Sequence, residues 1–294
     1  MLRGASRILP SVLLVILLLA GCSVSNPLAG PTETPTASLT PTVTPVPMAI
    51  SVNGERITQA EFDAELARYQ QAQAELGISV SQETAVQAVR DGYVDTLLLA
   101  QGAAQNGHVV DENMLQARID ALAGQIGGVE ALAAWQAAHG YTLADFRSEL
   151  RRQMAAAWMR DQVVAAVPVT AEQVHVKQIL LYNEETAQTV LTQLQSGWTF
   201  PDLAASYDPL TNGELGWVVR GYLPDPAVEQ AIFALQPGQY SGIVQTQAGY
   251  HIFYVVESDP ARTLSPDALL TLQEKALREW LQARRDGSSV EYGP

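Results

Sequence analysis

Histidine and cysteine carry most metal, nucleophilic and proton-sharing chemistry, and this 294-residue chain has few of either. Its four histidines are His108, His139, His175 and His251, and Cys22 is the only cysteine. There is no Cys-x-x-Cys pair, and no two histidines share the spacing that would set them on one helix face. No metal site is expected from that pattern. The formal net charge is −14. An acidic body argues against nucleic acid and against a polybasic membrane patch, and it fits a module that meets polypeptides.

Cys22 has a context of its own. Arg3 and Arg7 precede an apolar run over residues 8–19, too short and wrongly flanked for a spanning helix. Leu19-Ala20-Gly21-Cys22 ends it. The pattern resembles a bacterial lipoprotein signal. That resemblance implies loss of residues 1–21, lipid on Cys22, and an extracytoplasmic chain anchored to the cell membrane. An ordinary secretory signal with a chance cysteine is the alternative. With Cys22 lipidated, no thiol is left free and no disulfide can form. Residues 22–48 are rich in Pro and Thr and nearly free of aromatics. Such a stretch buries too little apolar surface to offset its ordering entropy. It reads as a tether, extended at about 3.1 Å per residue where polyproline II forms.

The remaining body divides by pattern. Residues 49–171 read mostly as helix. Ile50-Ser51-Val52 is a short strand before an Asn53-Gly54 turn, and Thr58-Gln59-Ala60-Glu61 is a capping box. Helices are expected over residues 59–76, 83–105, from 111 to the Gly127-Gly128 break, 129–138, and onward from a Thr142 cap. Phe146, Leu150, Met154 and Trp158 stand at helical spacing and read as core.

Residues 172–258 change texture. Strand alternation over 174–181 is followed by helices at 184–195 and 199–206. A strand at 215–219, a helix at 227–235 and strands at 243–246 and 250–257 complete the stretch. This β-α-α-β-α-β-β order implies an α+β unit around an antiparallel sheet. Over 259–288 one amphipathic helix remains, capped by Ser265 with Pro266 in its first turn. Its Leu269, Leu272, Ala276, Trp280 and Leu281 need a partner surface. That surface belongs either to the α+β unit or, as favoured here, to the helical part, which would then be discontinuous in sequence.

Three blocks carry a resemblance. They are Gly213-Glu214-Leu215-Gly216-Trp217-Val218, residues 231–241 (AIFALQPGQYS), and residues 244–252 (VQTQAGYHI). In order and spacing they resemble the parvulin family of peptidyl-prolyl cis-trans isomerases, over about residues 173–257. The whole layout is similar to extracytoplasmic foldases of the PrsA and SurA type, in which a helical chaperone domain carries an inserted parvulin domain. The fold expected is therefore α+β, with a helical chaperone-like domain and an inserted parvulin-like unit. The partners implied are unfolded or partly folded exported polypeptides and, through Cys22, a membrane, with no nucleic acid.

The resemblance also implies a site. Leu215, Leu223, Val228 and Phe233 would form the proline pocket. Phe233 serves equally as core, which leaves Leu223 and Val228 as the better candidates. His251 matches the family's second histidine, Thr246 the nearby hydroxyl, and Asp208 the Cys/Asp position. The first histidine is replaced by Gln178, and His175 lies three residues earlier, on the opposite face of the strand. Gln donates and accepts a hydrogen bond but does not titrate. Gln178 would then either orient His251 in an altered network or mark a domain that only binds peptide. The function implied is acceleration of Xaa-Pro isomerisation, and the alternative is a holdase without catalysis. A solute-binding lipoprotein would need repeated β-α alternation in two lobes, which is missing.

Overall fold

The computed structural model describes residues 46–293. The expected signal, Cys22 and nearly all of the expected tether lie outside them. Strands β1 (Met48–Val52) and β2 (Glu55–Thr58) form a hairpin about Asn53-Gly54. Thr58 then opens α1 (Gln59–Glu75). Its hydroxyl accepts the Glu61 N–H, and the Glu61 carboxylate accepts the Thr58 N–H at 2.9 Å. The capping box is thus closed in both directions. Helices α2 (Gln82–Gln105), α3 (Glu112–Ile126), α4 (Val129–Ala138) and α5 (Leu143–Ala165) follow. Ser81, Asp111 and Thr142 cap α2, α3 and α5 through their side-chain oxygens. The buried stripe of α2, with Val89, Tyr93, Val94, Leu97 and Leu98, packs on Ile50, Val52, Ile57 and Phe62.

The second sheet is built from β3 (Thr170–Leu181), β4 (Glu214–Val219), β5 (Val244–Thr246) and β6 (Gly249–Thr263). Helices α6 (Glu184–Gln195), α7 (Phe200–Tyr207) and α8 (Pro226–Phe233) lie between them in the chain. The strand order is β4-β3-β6-β5, all antiparallel, and the chain order is the β-α-α-β-α-β-β read from sequence. Helices α6 and α7 cover one face, where Val190, Leu194, Phe200 and Leu203 meet Ile179, Leu181 and Ile252. Ile232 and Val228 of α8 cover the other, against Val174, Val176, Phe253 and Val255.

Two features differ from the sequence reading. The two central strands, β3 and β6, run on, pairing Ala171 with Arg262 and Thr170 with Thr263, although Pro260 reads as the end of the last strand. Gln173 pairs with Asp259 and Ala171 with Arg262, so Glu172 faces both Pro260 and Ala261. That bulge lets the ladder pass a residue with no N–H. The buried Gln173 side chain secures it, donating to the carbonyls of Arg262 at 2.9 Å and Thr263 at 3.2 Å. The two chain crossings at this point are therefore one paired ribbon.

The second feature follows α9 (Pro266–Asp286). Strand β7 (Val290–Tyr292) pairs with β1 and completes a sheet in the order β2-β1-β7. A three-residue strand is too short for alternation to reveal it. Helix α9 itself touches both partners that its stripe left open. Leu269 and Leu272 pack by Val219 and Leu264, while Leu277, Trp280 and Leu281 pack by Leu99, Ala103, Ala156 and Met159. Near its C-terminus Arg285 holds Asp91 at 2.9 Å and Asp95 at 2.7 Å.

An ion triad ties α1 to α5. Arg152 donates to Glu61 at 3.1 Å and to Glu149 at 2.9 Å, and all three side chains are at most one-fifth exposed. Burial pushes the Glu61 carboxyl up. The bonds from Thr58 and Arg152 outweigh it, so the group sits below the usual carboxylate range. Arg152→Ala leaves two carboxylates without a cation and is expected to cost about 2–3 kcal/mol at neutral pH by denaturant unfolding. Adding Glu61→Gln removes one orphaned charge and is expected to restore part of that loss.

Candidate active site

The β5–β6 hairpin places two polar side chains side by side. Across its turn, Thr246 pairs with Gly249 and Val244 with His251. On the other edge of β6, His251 lies opposite Leu180 and Phe253 opposite Gln178. The His251 ring is 7% exposed and stacks on Phe253 with centroids 5.4 Å apart. Its Nε2 lies 2.8 Å from the Thr246 hydroxyl, and its Nδ1 lies 3.2 Å from Gln178 Oε1. The Ala248 N–H donates to Thr246 Oγ1 at 3.1 Å. With the ring neutral, these partners fit Nδ1–H donating to Gln178 and Nε2 accepting from Thr246. The bonds then run in one direction, from Ala248 through Thr246 and His251 to Gln178, and each polarises the next.

Thr246, Ala248 and His251 of this network line an open groove of about 600 Å³, and Gln178 backs His251 from outside the lining. Leu223, Pro224, Pro226 and Val228 give it an apolar wall that also carries Asp225, and Thr246, Gln247, Ala248 and His251 complete the lining. The wall is fixed where α8 begins, with Asp225 as its cap and Pro226 in its first turn. Leu223 and Val228 also pack on the sheet core through Ile232 and Phe253.

The structure therefore brings together Gln178, His251, Thr246, Leu223 and Val228. Leu215 is about one-third exposed on β4 and does not line the groove. Phe233 packs with the core beneath α8, and the Arg220 guanidinium lies 4.0 Å over its ring. Asp208 has no hydrogen bond to His251, Thr246 or Gln178. Its carboxylate accepts the hydroxyl of Thr211 and, at 3.2 Å, the Thr211 N–H. Those bonds, with lesser ones from the Gly213 and Leu210 N–H groups, hold it below the usual carboxylate range. The turn so shaped ends at Gly213, whose carbonyl accepts the Gln178 N–H at 2.7 Å. Asp208 thus reaches the network only through backbone. His175 pairs with Glu214 and stacks on Trp217 at 5.3 Å, without contact to His251.

Sequence reading missed Pro224, Asp225, Pro226, Gln247 and Ala248 as groove residues. It started α8 at Ala227, although an Asp before a Pro is a legible helix start.

Burial pulls the His251 pKa below its ordinary 6.5, and the Asp225 charge opposes this more weakly. Below about pH 6.5 the unfolded chain takes up the proton before the folded one does. Stability from this group is therefore full above pH 6.5 and falls as pH drops, until the folded ring also protonates. His251→Gln lacks that dependence. Urea unfolding at pH 7.5 and 5.5 is expected to show the stability difference between parent and variant shrinking at the lower pH. An unchanged difference would contradict this.

Residues 177–257 match the PPIC-type PPIASE domain. Residues 2–160, more than half of the chain, match the SurA-like N-terminal domain, and the chain belongs to that family. It is 33% identical over 147 residues to Chaperone SurA of Nitrosospira multiformis, covering 43% of this chain and 33% of that protein. With Foldase protein PrsA of Halalkalibacterium halodurans it shares 33% identity over 120 residues, covering 39% of this chain and 36% of that one. It thus spans about a third of the length of these relatives. A crystal structure of the peptidylprolyl isomerase PrsA from Bacillus cereus is similar, with a TM-score of 0.43, 20% identity, and coverage of 79% of this chain and 82% of that one.

Proposed function

We propose that this chain is a membrane-tethered extracytoplasmic foldase that accelerates cis-trans isomerisation of Xaa-Pro bonds in unfolded, exported polypeptides. The observation that carries this reading is that His251 and Thr246, hydrogen-bonded to each other and backed by Gln178, share one groove with the apolar wall of Leu223 and Val228. Amide resonance sets a barrier near 20 kcal/mol, and the uncatalysed step takes tens of seconds. No bond need break. A groove that seats the proline ring on the apolar wall and favours the twisted amide lowers the barrier by differential binding. No cofactor is called for. His251, Thr246 and Gln178 shape the polar side, and Asp208 sets the turn behind Gln178. Lipid on Cys22 and the tether of residues 22–48 would hold the folded body off the membrane.

A second reading is a holdase in which the groove only binds peptide. It is favoured by Gln178, which replaces a titrating partner with one that cannot share a proton. Refolding of a protein whose slow phase is prolyl isomerisation separates the two. A foldase in substoichiometric amount speeds that phase. A holdase leaves its rate unchanged and suppresses aggregation only near one-to-one. In cells, Cys22→Ser is expected to move the chain from the membrane fraction to the soluble one.

A further inference from the structure

The groove wall carries one carboxylate that the proposed isomerisation does not use. Asp225 lines the groove between Leu223 and Val228, on the wall facing His251. Its Oδ1 accepts the Ala227 N–H at 2.9 Å, so capping α8 fixes the carboxylate at the groove edge. Asp225 forms no ion pair among the described residues, and neither Lys nor Arg lines the groove. Arg220, five residues before Asp225, and Lys275, whose Nζ lies by Gly221, have other partners. Arg220 sits 3.4 Å from Glu172 and over the Phe233 ring, and Lys275 lies 4.0 Å from Glu279. The Asp225 charge is also felt at the His251 ring, so its field reaches across the groove.

We infer that Asp225 makes this groove selective for peptides that carry Lys or Arg next to the proline. The inference rests on reading the groove as a proline site. A ring seated on Leu223 and Val228 places the neighbouring residue, about 3.5 Å further along an extended chain, at the rim where Asp225 stands. A long cationic side chain lays its stem on the apolar wall and its charge at the carboxylate. A Glu or Asp in that place meets a like charge. The groove is open to solvent, so the discrimination is modest and sensitive to salt.

The test uses the full chain in detergent at pH 7.5, where His251 is neutral. Short peptides carry Lys, Ala or Glu before the proline in one series and after it in another. Both acceleration of exchange and affinity, from groove amide shifts, are read on the same samples. At low salt, Lys over Glu is expected by about fivefold in one series, shrinking toward unity near 0.5 M salt. Asp225→Asn keeps a capping side chain and is expected to level the ratio. A flat series in the parent overturns the inference, as does a preference that survives in Asp225→Asn, which would assign it to the overall charge of −14. If no peptide is accelerated but the Lys preference in affinity vanishes in Asp225→Asn, the inference stands and catalysis falls. If no peptide binds, both fall.

Discussion

Gly213→Ala is expected to cost about 3–4 kcal/mol of folding stability and to dismantle the His251 network. Gly213 has φ +72°, a left-handed conformation that costs an L-residue about 1–2 kcal/mol. Its carbonyl accepts the Gln178 N–H, and a Cβ there would fall well inside contact distance of the Gln178 carbonyl oxygen. That neighbour is backbone in β3 and cannot rotate aside. The strand would have to shift, losing a hydrogen bond worth about 1 kcal/mol and adding packing strain of at least another. Gly216→Ala is the matched control. It has φ +84° but nothing within 4 Å of its would-be Cβ, so only the conformational cost of about 1–2 kcal/mol applies. Denaturant unfolding of the two variants measures the difference. In Gly213→Ala the His251 ring resonances are also expected to move, because Gln178 moves with its strand. Equal losses in the two variants would show that the close approach to β3 carries no energy.

Much of the fold is legible in sequence because its determinants are local. Thr58-x-x-Glu61, Ser81, Asp111, Thr142 and Ser265 announce helix starts, and the structure uses each side chain as a cap. Alternation gives the strands, and Gln247-Ala248-Gly249 marks the β5–β6 hairpin, whose turn closes over Gln247 and Ala248 because Gly249 already pairs with Thr246. What escapes is set by distant partners. Strand β7 exists because the edge of β1 is available about 240 residues earlier in the chain. The ribbon past Pro260 exists because a bulge opposite Glu172 absorbs the missing donor.

The candidate site divides in the same way. Gln178 and His251 are each placed by strand pattern, and the β3–β6 register brings their side chains together. The Asp208 rotamer is decided by Thr211, three residues on, whose N–H and hydroxyl both claim the carboxylate. Leu215 and Phe233 are apolar at the expected spacing. Which apolar side chains face a groove depends on how α8 lies on the sheet, and spacing alone does not fix that.

The central claim is that the groove at His251 lowers the barrier to prolyl rotation. Exchange NMR on a short Xaa-Pro peptide with the full chain, His251→Ala and Gln178→His tests it most directly. The parent is expected to speed exchange, because Gln178 still orients the ring through Nδ1. His251→Ala is expected to lose at least tenfold of that acceleration, about 1.4 kcal/mol of barrier. Gln178→His, which offers a second imidazole to the same Nδ1, is expected to match or exceed the parent. Exchange no faster with the parent than without it, or acceleration undiminished in His251→Ala, would contradict the account.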